Sequence, residues 1–389
     1  VRRFLNLPED VPVALTAESI ALLQYTSGST GQPKGVVLSH ANILANIAAS
    51  GAALHVRSGE PFVSWLPLYH DMGLIGAWLG SLYFGLPLVI MSPLAFLSRP
   101  VRWLEAIHRH RGVVSAAPNF AYELCVKRVT DEELAGLDLT TWRIALNGAE
   151  AVRPETLTGF GERFAHCGFR STAMTPVYGL AECAVGLTVP PMDRGPLIDV
   201  IDRESLVQHG VASPASPNTV NPLRFPSCGL PIPEHQVRIV DDAGRELGER
   251  REGRLEFRGP STTCGYLNNA EATAKLMRDG WLDSGDRAYR AQGEIFVTGR
   301  VKDIIIRAGR HIYPEELEAA IGAIAGVRKG CVAVFGSFDP ASGTEHVIVL
   351  AETRVEDTAK RDALRQAIIE TAVKLIGEAP DEVVLAVPD

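Results

Sequence analysis

From residue 20 to about residue 191, short β-rich runs alternate with amphipathic helical stretches, and this rhythm restricts the fold more than any other feature of the chain. Candidate strands lie at residues 62–66, 88–91, 112–116 and 142–146, and helical patterns fill 101–110, 119–129 and 154–164. Strands alternating with helices build a mostly parallel sheet covered on both faces. Such sheets collect ligands at the carboxyl ends of their strands. A glycine-rich loop near residue 30 and the segments 66–71 and 146–150 all follow candidate strands, so they are expected to meet there.

The loop reads YTSGSTGQPKGVVLSH over residues 25–40, and every residue from Thr26 to Gly31 is Thr, Ser or Gly. Glycine lets the backbone approach a ligand closely. Consecutive backbone N–H groups can converge on an anion, and Lys34 adds a compact charge suited to a polyphosphate. A Walker P-loop is excluded, because that motif needs Gly-Lys-Ser/Thr after four spacer residues. Here Lys34 stands between Pro33 and Gly35. Apolar runs at 20–23 and 36–38 predict flanking strands, and residues 40 to about 53 predict a helix. A flexible Gly/Ser linker is the bland alternative, but linkers are seldom flanked so closely by regular elements.

With 389 residues there is room for two or three domains. The net charge of −8 and the lack of a basic tract argue against a nucleic-acid partner. Cys125, Cys167, Cys183, Cys228, Cys264 and Cys331 are scattered without metal spacing, which suits structural thiols in a reducing compartment. The opening VRRFLN lacks signal-peptide architecture, so a cytoplasmic location is expected. Residues 72–98 carry no charge and are long enough to span a bilayer. Their glycines and prolines instead favour a buried helix, a turn and a buried strand. The expectation is no stable membrane insertion, and a groove for an apolar substrate beside that helix.

Residues 190–226 are rich in Pro, Ser and Asn, with an apolar run at 197–201 and a helical one at 205–209. A mobile linker and an ordered insertion both fit. Residues 237–240 and 254–258, joined through Asp241-Asp242-Ala243-Gly244, predict antiparallel strands. Beyond residue 301 the pattern is ββαββαβ-like, with strands at 303–306, 331–335, 347–351 and 383–387 and helices at 314–325 and 358–376. The fold class expected is α/β: a layered parallel-sheet large domain with a small β-rich subdomain, then a small mobile α+β domain. The expected boundaries are 1–226, with the insertion at about 190–226, then 227–301 and 302–389.

Seven segments sharpen the functional reading: YTSGSTGQPKG at 25–35, SWLPLYHDMGLIG at 64–76, NGAE at 147–150, VYGLAE at 177–182, GRLEFRGPSTTCGYL at 253–267, WLDSGD at 281–286 and GRVKDIII at 299–306. In this order they resemble the signature of the adenylate-forming (acyl-activating) superfamily. LPLYHDMGLIG, the NGAE and RPET runs, Ser227-Cys228-Gly229 and GRHIYPEELE at 309–318 are most similar to fatty acyl-AMP ligases. The resemblance implies that ATP and a fatty acid give an acyl-adenylate and pyrophosphate. The acyl group then passes to an acyl carrier protein or polyketide synthase. The segment 190–226 sits where that family restricts coenzyme A use. A fatty acyl-CoA synthetase and a non-catalytic acyl- or nucleotide-binding module are the alternatives.

The resemblance also implies roles for individual residues. Thr26, Ser27, Gly28, Ser29, Thr30 and Gly31 would hold the β- and γ-phosphates, with Lys34 as counter-charge. Glu182 would ligate Mg²⁺, a hard oxygen for a hard cation. Asp286 would accept hydrogen bonds from both ribose hydroxyls, and Arg300 would reach the ribose or α-phosphate. Gly148, Ala149, Glu150, Tyr178 and Gly179 would line the adenine site, with Asn147, Leu180 and Ala181 completing the ATP/AMP-binding set. His70 would sit near the carboxylate and α-phosphate, making His70, Glu182 and Lys34 the catalytic group. Lys302 matches the family's hinge. The fatty chain would run along residues 72–84 past Gly73 and Trp78, with Trp78 limiting depth. The family's large domain starts further ahead of the glycine-rich loop, and its catalytic lysine lies further downstream. The expectation is therefore a chain truncated at both ends and weak in turnover.

Overall fold

The computed structural model describes residues 15–26, 33–307, 310–339 and 344–388. Its centre is a five-stranded, wholly parallel sheet in the spatial order Leu88–Ile90, Phe62–Ser64, Val114–Ala117, Ile144–Asn147, Met174–Pro176. The helices Val101–His110, Asn119–Arg128 and Pro154–Phe164 bury an aromatic cluster that includes Trp103, Tyr122, Trp142 and Phe160. The polar tips are satisfied: Trp103 Nε1 donates to Ser115 Oγ at 2.8 Å, and Tyr122 Oη to the Leu146 carbonyl at 2.8 Å. The strands and helices expected here are present, with one correction. The strand Leu88–Ile90 is not buried; among the described residues it is the sheet edge, and Ile90 is 48% exposed.

Ile20–Thr26 and Lys34–Ser39 pair antiparallel, with Thr26 opposite Lys34. Residues 27–32 lie outside the described residues, and with them the roles expected of Ser27, Gly28, Ser29, Thr30 and Gly31. The next helix, His40–Ala53, begins where its cap dictates. Ser39 Oγ accepts from the Asn42 N–H, while Asn42 Oδ1 accepts from the Ser39 N–H. The apolar segment after Asp71 winds as a π-helix, Met72–Leu79, continues as the α-helix Gly80–Phe84, and stops at Gly85 with φ +64°. Among the described residues, no helix is long and apolar enough to cross a membrane.

Residues 190–226 form an ordered insertion. Ile198–Ile201 pairs antiparallel with Leu223–Pro226, and between them runs the helix Arg203–His209, capped by Asp202. Ile201, Leu206, Ala212 and Leu223 bury against Tyr289, Phe296, Ile304 and Tyr313. Beside it stands an antiparallel sheet containing Gln236–Val240, Gly253–Arg258, Met277–Arg278, Trp281–Ala291 and Glu294–Arg300. Register places Asp286 directly opposite Arg300. The last region pairs Ile305–Arg307 with Arg310–Ile312. It then packs the helices Pro314–Gly322 and Thr358–Ile376 on a sheet of Val332–Asp339, Thr344–Glu352 and Glu382–Ala386. Leu317, Ile321, Val347, Val349 and Ile368 form a separate buried cluster there.

Candidate active site

A cavity of about 1290 Å³ opens where the parallel sheet, the first hairpin, the antiparallel sheet and the segment around Lys302 converge. It lies at the carboxyl ends of the parallel strands: His70–Met72, Ala149–Pro154 and Val177–Glu182 each follow one and line it. One end is polar and the other apolar.

At the polar end, Asp286 is 6% exposed. Its Oδ2 accepts from the Tyr178 hydroxyl at 2.5 Å, and Arg300 Nε stands 3.4 Å from Oδ1. Burial pushes the Asp286 carboxyl up; the Tyr178 bond and the Arg300 charge offset only part of that. Burial and the neighbouring carboxylate raise the Tyr178 phenol well above its usual range, so it stays a donor. Gly179 has no room for a side chain, since a Cβ would lie 1.8 Å from the Val185 carbonyl oxygen.

Glu182 sits on the short turn Ala181–Cys183, and its Oε1 accepts from the Tyr266 hydroxyl at 2.7 Å. Lys34 Nζ lies 5.0 Å from the centre of the Tyr266 ring. Tyr266 is fixed there because the neighbouring Leu267 N–H donates to the Gly35 carbonyl. Lys34, Tyr266 and Glu182 therefore form one stack beside the hairpin turn. Tyr266 lies inside a recognised segment, yet nothing local in the sequence signals its contact with Glu182, 84 residues away. Among the described residues, no hydrogen bond is made to Glu182 Oε2, and no group of three or more His, Cys, Asp or Glu could hold a metal by itself. That donor set fits Mg²⁺, which is commonly held by one or two carboxylates together with substrate phosphates.

His70 Nδ1 lies 2.8 Å from Asp71 Oδ1, which also accepts from the Met72 N–H at 2.6 Å. The hydrogen bond to Asp71 raises the His70 pKa against the opposing effect of partial burial. Lys302 lines the cavity with Nζ 3.7 Å from Asp303. Glu315, which the sequence reading did not single out, also opens into it; crowding by protein atoms and by Glu318 pushes its carboxyl up to about 7.

Not every expected residue reaches the cavity. Ala149 and Glu150 do. Asn147 is fully buried behind it, donating to Asn119 Oδ1 at 3.3 Å, and Gly148 packs against Val177, where a Cβ would lie 2.9 Å from the carbonyl oxygen. These two hold the turn on which Ala149 takes φ +66°. The acyl-pocket expectation needs the larger correction. Gly73 is packed on the Pro67 carbonyl, and Trp78 is 41% exposed outside the cavity. The i→i+5 winding changes which residues share a face. Ile75, Gly76, Gly80 and Phe84 face the cavity instead, opposite Ile47, Gly51 and Leu54. A Ser–His pair elsewhere, Ser261 Oγ at 2.6 Å from His235 Nε2, is structural: Ser261 is fully buried and also bonded by Asn46.

With this geometry in view, the AMP-binding enzyme family profile matches residues 3–267. The chain is 38% identical over 387 residues to a protein of Caulobacter vibrioides whose name places it among the acyl-CoA synthetases, covering 96% of this chain and 67% of that one. It is 39% identical over 319 residues to a medium-chain-fatty-acid–[acyl-carrier-protein] ligase of Moorena producens, covering 79% of this chain and 54% of the ligase. A solved structure from work on fatty acyl-adenylate ligases of E. coli and L. pneumophila superposes with a TM-score of 0.91 at 36% identity, covering 98% of this chain and 69% of that one.

Proposed function

The chain belongs to the AMP-binding enzyme family, and from that premise we propose that it uses ATP to convert a fatty acid into a fatty acyl-adenylate for delivery to an acyl carrier protein. The observation that carries this reading is one continuous cavity, with Asp286, Tyr178, Arg300, Glu182 and Lys34 at one end and an apolar groove at the other. Its ligand must have an anionic, hydroxyl-bearing head and an apolar tail. An acyl-adenylate has both.

In the reaction a carboxylate oxygen of the fatty acid bonds to the α-phosphorus of ATP. The bond from that phosphorus to the bridging oxygen breaks, and pyrophosphate leaves. Two anions meet, so the protein's task is positioning and charge neutralisation. Asp286 has accepting capacity beyond its bond from Tyr178 and would take the ribose hydroxyls. Lys34 would face the departing phosphates. His70, favoured in its charged form by Asp71, would offset the charge where carboxylate and α-phosphate meet. Glu182, with phosphate oxygens, would hold Mg²⁺, which when bound supplies further neutralisation there. The tail would lie between Ile47, Leu54, Ile75 and Phe84, each buried methylene contributing about 0.8 kcal/mol.

A polyketide synthase as the downstream acceptor, a cytoplasmic setting, Lys302 as a hinge and division of the chain at about residues 226 and 301 complete the proposal. The Caulobacter relative's name favours a second reading, transfer to coenzyme A. Carrier transfer is preferred because the insertion is ordered and joined to the last region, Arg203 of its helix bridging Glu316. Retention of Glu182, Asp286 and Arg300 around the cavity counts against a non-catalytic module. The test is pyrophosphate release with ATP, Mg²⁺ and dodecanoate, followed by acyl transfer to holo-carrier protein or coenzyme A. The proposal predicts fatty-acid-dependent pyrophosphate release and label on the carrier. No release contradicts adenylation, and label on coenzyme A alone contradicts the acceptor.

A further inference from the structure

Among the apolar residues that line the cavity, one contact joins the two facing helices. Gly76, Gly80 and Phe84 follow at four-residue steps along the wall, and all three line the cavity. A side chain at Gly76 would meet nothing within 4 Å, and one at Gly80 only the Ile75 carbonyl at 3.5 Å, so both glycines leave open space. Phe84, the last residue of its helix, lines the cavity one further step along. Its ring is braced from the facing helix by Gly51, where a Cβ would lie 2.1 Å from Phe84 Cζ. Tyr83 supports it edge-on, the ring centroids 4.9 Å apart. The backbone then turns away at Gly85, and Leu86, Leu54 and Val56 complete the lining around the ring.

We infer that Phe84, seated on Gly51, is the stop that sets how long an acyl chain this protein accepts; the inference rests on the acyl-adenylate reading of the cavity. The absence of a side chain at Gly51 gives the ring its place against the facing helix. Removing the ring lengthens the groove, and adding a methyl at Gly51 displaces the ring from its seat. The two positions are therefore coupled: what a substitution at Gly51 does to chain length depends on there being a ring at position 84.

The test uses non-hydrolysable N-acylsulfamoyl adenosines with saturated chains from octanoyl to octadecanoyl, titrated calorimetrically into the purified full chain. Wild type should show affinity rising by about 4-fold per added methylene up to a limiting length and falling beyond it. Phe84→Ala should move that limit to longer chains by at least one two-carbon step, and Phe84→Leu by less. Gly51→Ala should change the limit in the wild-type background and leave it unchanged in the Phe84→Ala background. Leu82→Ala, at an exposed position outside the cavity, should give the wild-type profile. Thermal unfolding of each variant confirms that it is folded, and Phe84→Leu carries the test if Phe84→Ala does not fold. An unchanged limit in a folded Phe84 variant, or independent effects of Gly51→Ala and Phe84→Ala, overturns the inference alone. Failure of every analogue to bind wild type overturns the acyl-adenylate reading and the inference with it.

Discussion

Two buried carboxylates of the antiparallel-sheet region, Asp286 and Glu252, show how the same chemical group serves two ends. Glu252 has no exposed side-chain surface and is fully engaged. Its Oε1 accepts from Thr298 at 2.5 Å and from the Tyr313 hydroxyl at 2.9 Å; its Oε2 lies 3.2 Å from both Arg287 Nε and His311 Nδ1. Burial alone would raise its carboxyl, but the His311 hydrogen bond, the Arg287 charge and the Thr298 hydroxyl together hold it below its ordinary value. Asp286 is nearly as buried, yet takes one hydroxyl and a loosely placed Arg300, and its carboxyl is raised. The difference lies in how many donors the protein supplies. A carboxylate surrounded by donors holds structure together; one left short of them keeps accepting capacity that a ligand can use.

Asp286→Ala gives the largest contrast. Two hydrogen bonds from ribose to a charged acceptor are worth about 1.5–3 kcal/mol each, so titration with AMP or an acyl-adenylate analogue should show affinity lost by a factor of roughly 100 or more. The fold should survive, since Asp286 is no hub. A variant that binds nucleotide normally breaks the comparison from one side.

Glu252→Ala should reverse the pattern. It leaves the partly buried Arg287 and the buried Thr298 and Tyr313 hydroxyls without their partner, a loss of up to about 3–5 kcal/mol on the scale of broken buried pairs, read as a lower denaturation midpoint in urea. Nucleotide affinity of the remaining folded protein should change little, because Asp286 and Glu182 are untouched. It also removes the anchor of His311 and Tyr313, which lie beyond Lys302.

Acidity should act on the two groups with opposite sign. Glu252 is depressed, so its contribution to stability is complete above the ordinary carboxylate pKa and is lost as pH falls through its lower folded value. Asp286 is raised, so it opposes folding at neutral pH and that opposition fades as pH falls through its folded value. Asp286→Asn should therefore raise the thermal midpoint of the ligand-free protein at neutral pH, while Glu252→Gln lowers it. The two midpoints should converge towards wild type in acid. A neutral-pH loss for Asp286→Asn as large as that for Glu252→Gln would show that both carboxylates are structural.

The smallest effect expected is for Tyr178→Phe. It removes one donor from Asp286, worth about 1–2 kcal/mol, and should weaken nucleotide binding several-fold without moving the urea midpoint by a comparable amount.

Much of this arrangement was legible in the sequence because it is written locally. The helix His40–Ala53 follows from Ser39 and Asn42, and the parallel sheet from alternating apolar runs. Asp286 and Arg300 stand in recognisable segments, though their direct opposition is a matter of register. What stayed hidden is non-local. Tyr266 meets Glu182 across 84 residues, and His311 meets Glu252 across 59; no spacing rule reaches that far. The π-helix was hidden for another reason. A continuous apolar run has no polar face to reveal its period, so Trp78 was expected inward where Gly76 and Gly80 are found.

The central claim is that one cavity holds both the head and the tail of a single ligand. The most direct measurement titrates the protein with dodecanoylsulfamoyl adenosine, with adenosine monophosphate and with dodecanoate, separately and under the same conditions. The account predicts that the joined molecule binds at least 100-fold tighter than either half, because ordering is incurred once for both ends. A joined molecule that binds no better than its stronger half would contradict it.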